Sequence, residues 1–240
     1  MVRRSAKASN HPEQGEGLPQ VVRLTGRRFE HVKDILKASK GKKLVVGKIN
    51  SLIGEGEILN LGKDSLDMGV SLKQKPPAAL NLTLIMALPR PQMLKRSLQC
   101  AASLGIKKII ILNFAKVEKS LWQSSSLKPE AIEEDLVLGL EQAKDTVLPE
   151  VVLKKQFKPF IEDELPKLIK NKHAFVAHPG EKGVLPKMNK KGIVLIIGPE
   201  GGLVDFEVEL LKSKGIKAVD LGKRILRFEN VIPYAIGKMS

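Results

Sequence analysis

From Leu80 onward, short apolar segments alternate with longer amphipathic segments, and this alternation restricts the possible folds more than any other feature. The apolar segments predict strands at residues 80–87, 108–112, 150–154, 173–177, 192–197 and 217–220. The amphipathic segments predict helices at residues 94–104, 130–148, 160–169 and 205–213. Strands that alternate with helices favour an α/β fold with a parallel sheet covered by helices.

The composition changes at the segment KQKPPAA, residues 73–79, which predicts a domain boundary. Upstream, residues 43–50, 56–61 and 65–72 alternate apolar with polar or small residues and are separated by turn residues. This pattern predicts a small antiparallel barrel or sheet, preceded by a short helix at residues 29–36. We therefore expect two domains, at residues 1–75 and 76–240.

The charge of the 240-residue chain indicates an acidic partner. Lysine and arginine number 41 against 26 acidic residues, a formal net charge of +15, and residues 1–75 alone hold 15 basic and 8 acidic residues. Such a surplus favours nucleic acid, because phosphate neutralisation dominates generic binding to it. The nine aromatic residues offer little for stacking on single strands. A basic surface without a partner remains an alternative.

Several classes of protein lack their required residues here. The single cysteine, Cys100, cannot form an intramolecular disulfide or a zinc site, and its helical setting predicts a buried small side chain rather than a nucleophile. No P-loop, Rossmann fingerprint, metalloprotease motif or nucleophile elbow occurs. No apolar run approaches the roughly 20 residues that span a bilayer. We expect a cytoplasmic protein with no metal and no membrane segment.

Three chemically distinctive loops follow predicted strands in the last third of the chain. They read HPGE at residues 178–181, GPEGG at residues 198–202 and LGKRILRFEN at residues 221–230. Open α/β sheets bind ligands outside the carboxyl ends of their strands, so these loops are candidates for one binding site. Taken singly, each is equally compatible with a tight strand–helix turn.

Together the loops resemble the S-adenosylmethionine site of the SPOUT, or trefoil-knot, RNA methyltransferases. The closest resemblance is to the bacterial 16S rRNA uridine-N3 methyltransferases, whose two most specific motifs match GPEGG and LGKRILR. The resemblance implies a trefoil-knotted catalytic domain, a PUA-like β-barrel domain that binds RNA, and a homodimer. It also implies S-adenosylmethionine as cofactor and ribosomal RNA of the small subunit as substrate.

The resemblance also implies roles for individual residues. Arg3 and Arg4 match the family's opening basic pair and would contact RNA phosphate. The residues expected to bind the cofactor belong to the three loops and the strand ends before them: Ala177, His178, Pro179, Gly180, Ile197, Gly198, Glu200, Gly201, Gly202, Leu221, Gly222, Ile225 and Leu226.

Methyl transfer to uridine N3 requires loss of the imide proton, which spreads negative charge over two carbonyl oxygens. A fixed guanidinium stabilises such charge, and Arg227 is the first candidate for it, with Arg224 the second. Glu229 is the nearest carboxylate in sequence that could act as a base or an orienting acceptor. An ion pair between Glu229 and Arg224 or Arg227 is an equally acceptable role.

The sequence departs from the family at several positions. Phe228 and Asn230 replace two threonines beside Glu229, and Val204 replaces a hydroxyl residue that would cap the helix after GPEGG, a contact worth about 1 kcal/mol. Two alternatives therefore stay open. The protein could methylate another RNA or position, or it could be a non-enzymatic RNA-binding or ribosome-assembly factor with a relic cofactor pocket.

Overall fold

The computed structural model describes residues 20–240, so Arg3 and Arg4 lie outside the described residues. The chain divides into two compact units. The first contains the described residues up to Pro77 together with Lys144–Val147, and the second contains Ala78–Ala143 and Leu148–Ser240.

The first unit is an antiparallel sheet of four described strands in the order β1-β4-β3-β2: β1 (Gln20–Thr25), β2 (Lys43–Gly47), β3 (Ile53–Leu61) and β4 (Ser65–Gln74). Helix α1 (Gly26–Glu30) continues into a π-helical turn, His31–Ile35. The buried core of the first unit includes Phe29, Ile58, Leu66 and Met68. The predicted closure of this sheet into a barrel stays a prediction.

Strand β1 was not predicted, because only Val22 and Leu24 of it face the core. It nevertheless pairs with β4 along its whole length, from Gln20 opposite Val70 to Thr25 opposite Ser65.

The second unit is a six-stranded parallel sheet in the order β10-β8-β9-β5-β6-β7. Its strands are β5 (Leu80–Ala87), β6 (Ile106–Leu112), β7 (Glu150–Lys154), β8 (His173–Ala177), β9 (Ile193–Ile197) and β10 (Lys217–Val219). The central strands β5 and β9 are almost wholly buried, as expected of a sheet covered on both faces. The predicted α/β class is confirmed.

The helices of the second unit are α2 (Pro91–Ser103), α3 (Pro129–Ala143), α4 (Phe157–Pro159), α5 (Leu165–Ile169), α6 (Asp205–Ser213) and α7 (Phe228–Met239). A π-helical turn, Phe160–Glu164, joins α4 to α5, and two 3₁₀ turns, Lys119–Gln123 and Ser125–Leu127, precede α3. No helix within residues 20–240 is long and apolar enough to cross a membrane.

The helix predicted at residues 130–148 is wrong at its end. Helix α3 ends at Ala143, and Lys144 takes a left-handed φ of 52°. Residues 144–147 then leave the helix for the first unit, where Asn50 N–H donates to the Thr146 carbonyl at 2.7 Å and the Thr146 hydroxyl donates to the carbonyl of Ser51. These tertiary hydrogen bonds replace the helical ones that the apolar pattern predicted.

The segment after β8 lies across the end of β10. His178 N–H donates to the Val219 carbonyl at 2.9 Å, and Asp220 N–H donates to the Gly183 carbonyl at 3.1 Å. The loops after β8, β9 and β10 therefore meet at one edge of the sheet. The threading of the chain into a trefoil knot stays a prediction.

Candidate functional site

The three loops that the sequence singled out surround one cavity of about 820 Å³ in the second unit. Helix α2 and the first turn of α7 complete its wall. Of the residues proposed from the sequence, those that line the cavity are Ala177, His178, Pro179, Gly180, Ile197, Gly198, Glu200, Gly202, Leu221, Gly222, Arg224, Ile225, Leu226, Arg227 and Glu229. Gly201 is not among the lining residues.

Asp220 joins two of the loops and was not proposed from the sequence. Its carboxylate accepts hydrogen bonds from Gly222 N–H at 2.8 Å and from Gly180 N–H at 3.1 Å. These two bonds favour the ionised form and lower the pKa of the Asp220 carboxyl below its ordinary value. Gly180 has a φ of 82°, a backbone conformation that residues other than glycine rarely adopt. This side of the cavity is thus held by backbone groups around one carboxylate.

The GPEGG loop turns sharply where β9 ends. Gly202 N–H donates to the Pro199 carbonyl at 2.8 Å, and Gly202 has a φ of 74°. A Cβ at Gly198 would lie 2.9 Å from the side chain of Leu203, which is too close without a shift. Gly201 instead turns its carbonyl to Lys116, whose ammonium donates to it at 2.7 Å. Lys116 therefore holds the loop from outside the cavity.

Glu207 anchors the start of α6, where Val204 offers no capping hydroxyl. Its carboxylate accepts Val204 N–H at 3.0 Å and Ala115 N–H at 2.7 Å. The residue is only 1% exposed, so both hydrogen bonds are shielded from water. No side chain caps α6 at position 204, as the sequence predicts, and the Glu207 N–H donates to the Val204 carbonyl at 2.9 Å instead.

The two arginines and the glutamate of the third loop lie where that loop enters α7. Arg227 immediately precedes the helix, and Glu229 lies in its first turn, where the helix dipole favours a negative charge. Phe228, in the place of a threonine, is buried. It packs in the core and also lines the cavity, and Asn230 is exposed on the same turn.

Glu229 pairs with an arginine that sequence reasoning missed. Arg96 of α2 places a guanidinium nitrogen 3.9 Å from a carboxylate oxygen of Glu229. Among the described residues, no ion pair joins Glu229 to Arg224 or Arg227, so that expected alternative is wrong. Arg96 lines the cavity together with Gln92 and Met93 of the same helix. The spacing of these three residues, opposite the buried Leu94 and Leu98, marks one unburied face of α2, but only the fold shows that this face lines the cavity.

Cys100 lies on α2 but is not one of the cavity-lining residues. It is partly rather than fully buried, and burial raises the pKa of its thiol, which disfavours the reactive thiolate. No group of three or more metal-ligating side chains occurs in the part of the chain that the structure describes.

Comparison with known proteins gives consistent matches. A family model for an RNA methyltransferase domain matches residues 76–240. The chain is 31% identical over 215 residues to the ribosomal RNA small subunit methyltransferase E of Treponema pallidum, covering 87% of this chain and 80% of that protein. It is 28% identical over 222 residues to the ribosomal RNA small subunit methyltransferase E 1 of Borreliella burgdorferi, covering 87% of each.

A solved structure shares the fold. The ribosomal RNA small subunit methyltransferase E from Neisseria gonorrhoeae, bound to S-adenosyl methionine, is 20% identical and superposes with a TM-score of 0.72, covering 94% of this chain and 93% of that one. The domain match and the relative from Treponema pallidum each span most of the chain. The chain therefore belongs to the RNA methyltransferase domain family, among the relatives of the ribosomal RNA small subunit methyltransferases E of the SPOUT class.

Proposed function

We propose that this protein transfers a methyl group from S-adenosylmethionine to N3 of a uridine in 16S rRNA of the small ribosomal subunit. One observation carries the proposal: a single cavity combines three backbone-built loops with two arginines and a carboxylate at the start of α7. Relatives named as small-subunit ribosomal RNA methyltransferases support the substrate class. The uridine and its N3 atom rest on the resemblance of the motifs and on the charges at the site.

The cavity fits S-adenosylmethionine. Its volume of about 820 Å³ lies within the range of small-molecule sites, roughly 300–1,000 Å³. Apolar surface for an adenine ring is supplied by Ile197, Leu203, Leu221 and Leu226. At Gly180 and Gly202 no atom lies within 4 Å of where a Cβ would stand, so the backbone there is open to a ligand. When bound, the cofactor supplies a methyl group carried on a sulfonium. We assign the predicted cofactor-binding residues to this role, with Gly201 acting only through the shape of its loop.

The remaining side chains suit the acceptor. Deprotonated N3 carries charge that is shared with the neighbouring carbonyl oxygens, and the two arginines Arg227 and Arg224 both line the cavity. Glu229 lies beside them as the carboxylate that accepts or orients the N3 proton. These three residues need only fix the base and steady its charge.

The rest of the molecule supplies RNA contact. Residues 1–75 carry 15 basic and 8 acidic residues, which supports an RNA-binding role for the first unit and for Arg3 and Arg4. A homodimer and a cytoplasmic location belong to the same proposal: the dimer rests on the resemblance of the motifs, and an rRNA substrate favours the cytoplasm.

The test is transfer of labelled methyl to small ribosomal subunits that lack the modification, followed by nucleoside analysis. We expect labelled 3-methyluridine. Label in another nucleoside, or in tRNA but not rRNA, contradicts the proposed target and favours a different RNA or position. Salt-sensitive RNA binding without cofactor binding or label contradicts catalysis and favours the ribosome-assembly alternative.

A further inference from the structure

Helix α2 carries a basic side chain, Arg96, beside Glu229. We call the part of the cavity lined by Arg224, Arg227 and Glu229 the acceptor end. Arg96 lies one turn from Gln92 and Met93, and all three line the cavity. The opposite face of α2 packs into the core through Leu94 and Leu98. Arg96 is therefore fixed at its Cα by a buried helix face, while its guanidinium remains at the cavity.

Glu229 has few other means of being held. Its side chain is 19% exposed, and among residues 20–240 its one ion pair is with Arg96. The Arg96 side chain itself is 55% exposed, and a pair at 3.9 Å between such groups adds little to the free energy of unfolding. The pair is therefore poorly explained by stability alone. Its position, between α2 and the first turn of α7, links the reactive end of the cavity to the helix packed beside it.

We propose that Arg96 is a positioning residue for the methyl acceptor, acting through the carboxylate of Glu229. The guanidinium restrains the carboxylate by charge at 3.9 Å, at the cavity that Arg224 and Arg227 also line. This inference rests on the proposed function, because it assigns a purpose to a contact of the same site. It adds a fourth side chain, from a distant part of the sequence, to the acceptor end.

The neighbouring residue provides a matched control. Lys95 is 58% exposed and forms an ion pair at 3.9 Å with Asp135, but it does not line the cavity. Lys95→Ala and Arg96→Ala therefore each remove one positive charge and one exposed ion pair of equal length from adjacent positions of α2. A general loss of attraction for RNA affects both variants equally.

The experiment measures kcat and KM for RNA at saturating S-adenosylmethionine. Arg96→Ala is expected to lower kcat about 10-fold, with KM and cofactor affinity changed less than about 2-fold, because only orientation at the reacting atoms is lost. Lys95→Ala is expected to leave both constants within about 2-fold of the unsubstituted enzyme. Arg96→Lys keeps a cation and should recover part of the lost kcat.

A double-mutant cycle with Glu229→Gln separates action through Glu229 from direct contact with RNA. If Arg96 acts through Glu229, Arg96→Ala has no further effect on kcat in the Glu229→Gln background. The inference is overturned if the losses of kcat from Arg96→Ala and Glu229→Gln multiply in the double variant. It is also overturned if Arg96→Ala raises KM and lowers the salt dependence of RNA binding by about one phosphate contact. Equal losses in Arg96→Ala and Lys95→Ala also overturn it. Absence of transfer by the unsubstituted protein overturns the proposed function itself, and this inference with it.

Discussion

The two ends of the cavity are built from different material. The end assigned to the cofactor is shaped by backbone: Asp220 gathers the N–H groups of Gly180 and Gly222, and the GPEGG loop closes on its own carbonyl. The end assigned to the acceptor is formed by charged side chains, Arg96, Arg224, Arg227 and Glu229. A backbone-built site fixes shape through local sequence, whereas a side-chain-built site places charge through helix packing. Substitutions at the two ends should therefore fail in different ways.

The largest effect is expected at the acceptor end, from Arg227→Ala. Without the guanidinium, the negative charge that develops on the uridine is not stabilised, so the rate of methyl transfer should fall by about 100- to 1,000-fold. Affinity for S-adenosylmethionine, measured by calorimetry, should change little. Arg90→Ala, which removes an exposed arginine outside the cavity, is the control. Lost cofactor binding in Arg227→Ala would remove the distinction between the two ends.

The next largest effect is expected from Glu207→Ala, which leaves the N–H groups of Val204 and Ala115 buried without an acceptor. The free energy of unfolding, from urea titration, should fall by about 3 kcal/mol. Cofactor affinity should fall with it, because this carboxylate anchors the segment that follows GPEGG. Glu209→Ala, on the exposed face of the same helix, should cost little. Equal losses in the two variants would contradict this anchoring role.

A smaller effect is expected from alanine at two matched glycines. Gly180 and Gly215 share a φ of 82°, and a Cβ built at either has no neighbour within 4 Å. Each alanine should therefore lower the free energy of unfolding by about 1 kcal/mol through backbone strain alone. Only Gly180→Ala should weaken cofactor binding, since Gly215 is not one of the cavity-lining residues. Equal affinities in the two variants would show that the shape of the loop after β8 does not matter to the cofactor.

The smallest effect concerns pH. The pKa of Asp220 is lowered by the N–H groups of Gly222 and Gly180, so its folded value lies below the unfolded value of 3.8. The stabilisation is therefore present above about pH 4 and is lost as pH falls through the folded pKa. The Tm difference between the unsubstituted protein and Asp220→Asn should shrink below about pH 4. A difference that stays constant across that range would mean that the carboxylate does not hold the loops through its charge.

The contrast between the two ends also explains what could be read from the sequence. Gly198, Gly202 and Gly222 are required by local turns at strand ends, so a short motif is sufficient to place them at the cavity. Arg96 reaches Glu229 only because α2 packs against α7, and no local pattern encodes that packing. The helix predicted over residues 144–147 is wrong for a related reason, because hydrogen bonds to Asn50 and Ser51 override the apolar helical pattern.

How well each strand could be predicted depends on how many of its residues are apolar and buried. The central strands β5 and β9 were predicted to within one residue because predominantly apolar runs encode them. Strand β1 lies at the edge of its sheet and presents mostly exposed residues, so its pairing with β4 depended on contacts distant in sequence. Local chemistry thus predicts glycine turns and strands with apolar runs, the edge strands β7 and β10 included. A mostly exposed strand such as β1, and charge pairs between helices, require the folded structure.

The most direct test of the central claim is primer extension on small-subunit RNA after incubation with the protein and S-adenosylmethionine. A methyl group on N3 occupies the Watson–Crick edge of uridine and blocks copying, whereas a methyl group on C5 or the ribose leaves that edge free. We expect one new stop, next to a single uridine, that is absent with Arg227→Ala. Methyl incorporation without any stop would contradict transfer to N3, and with it the role assigned to the acceptor end of the cavity.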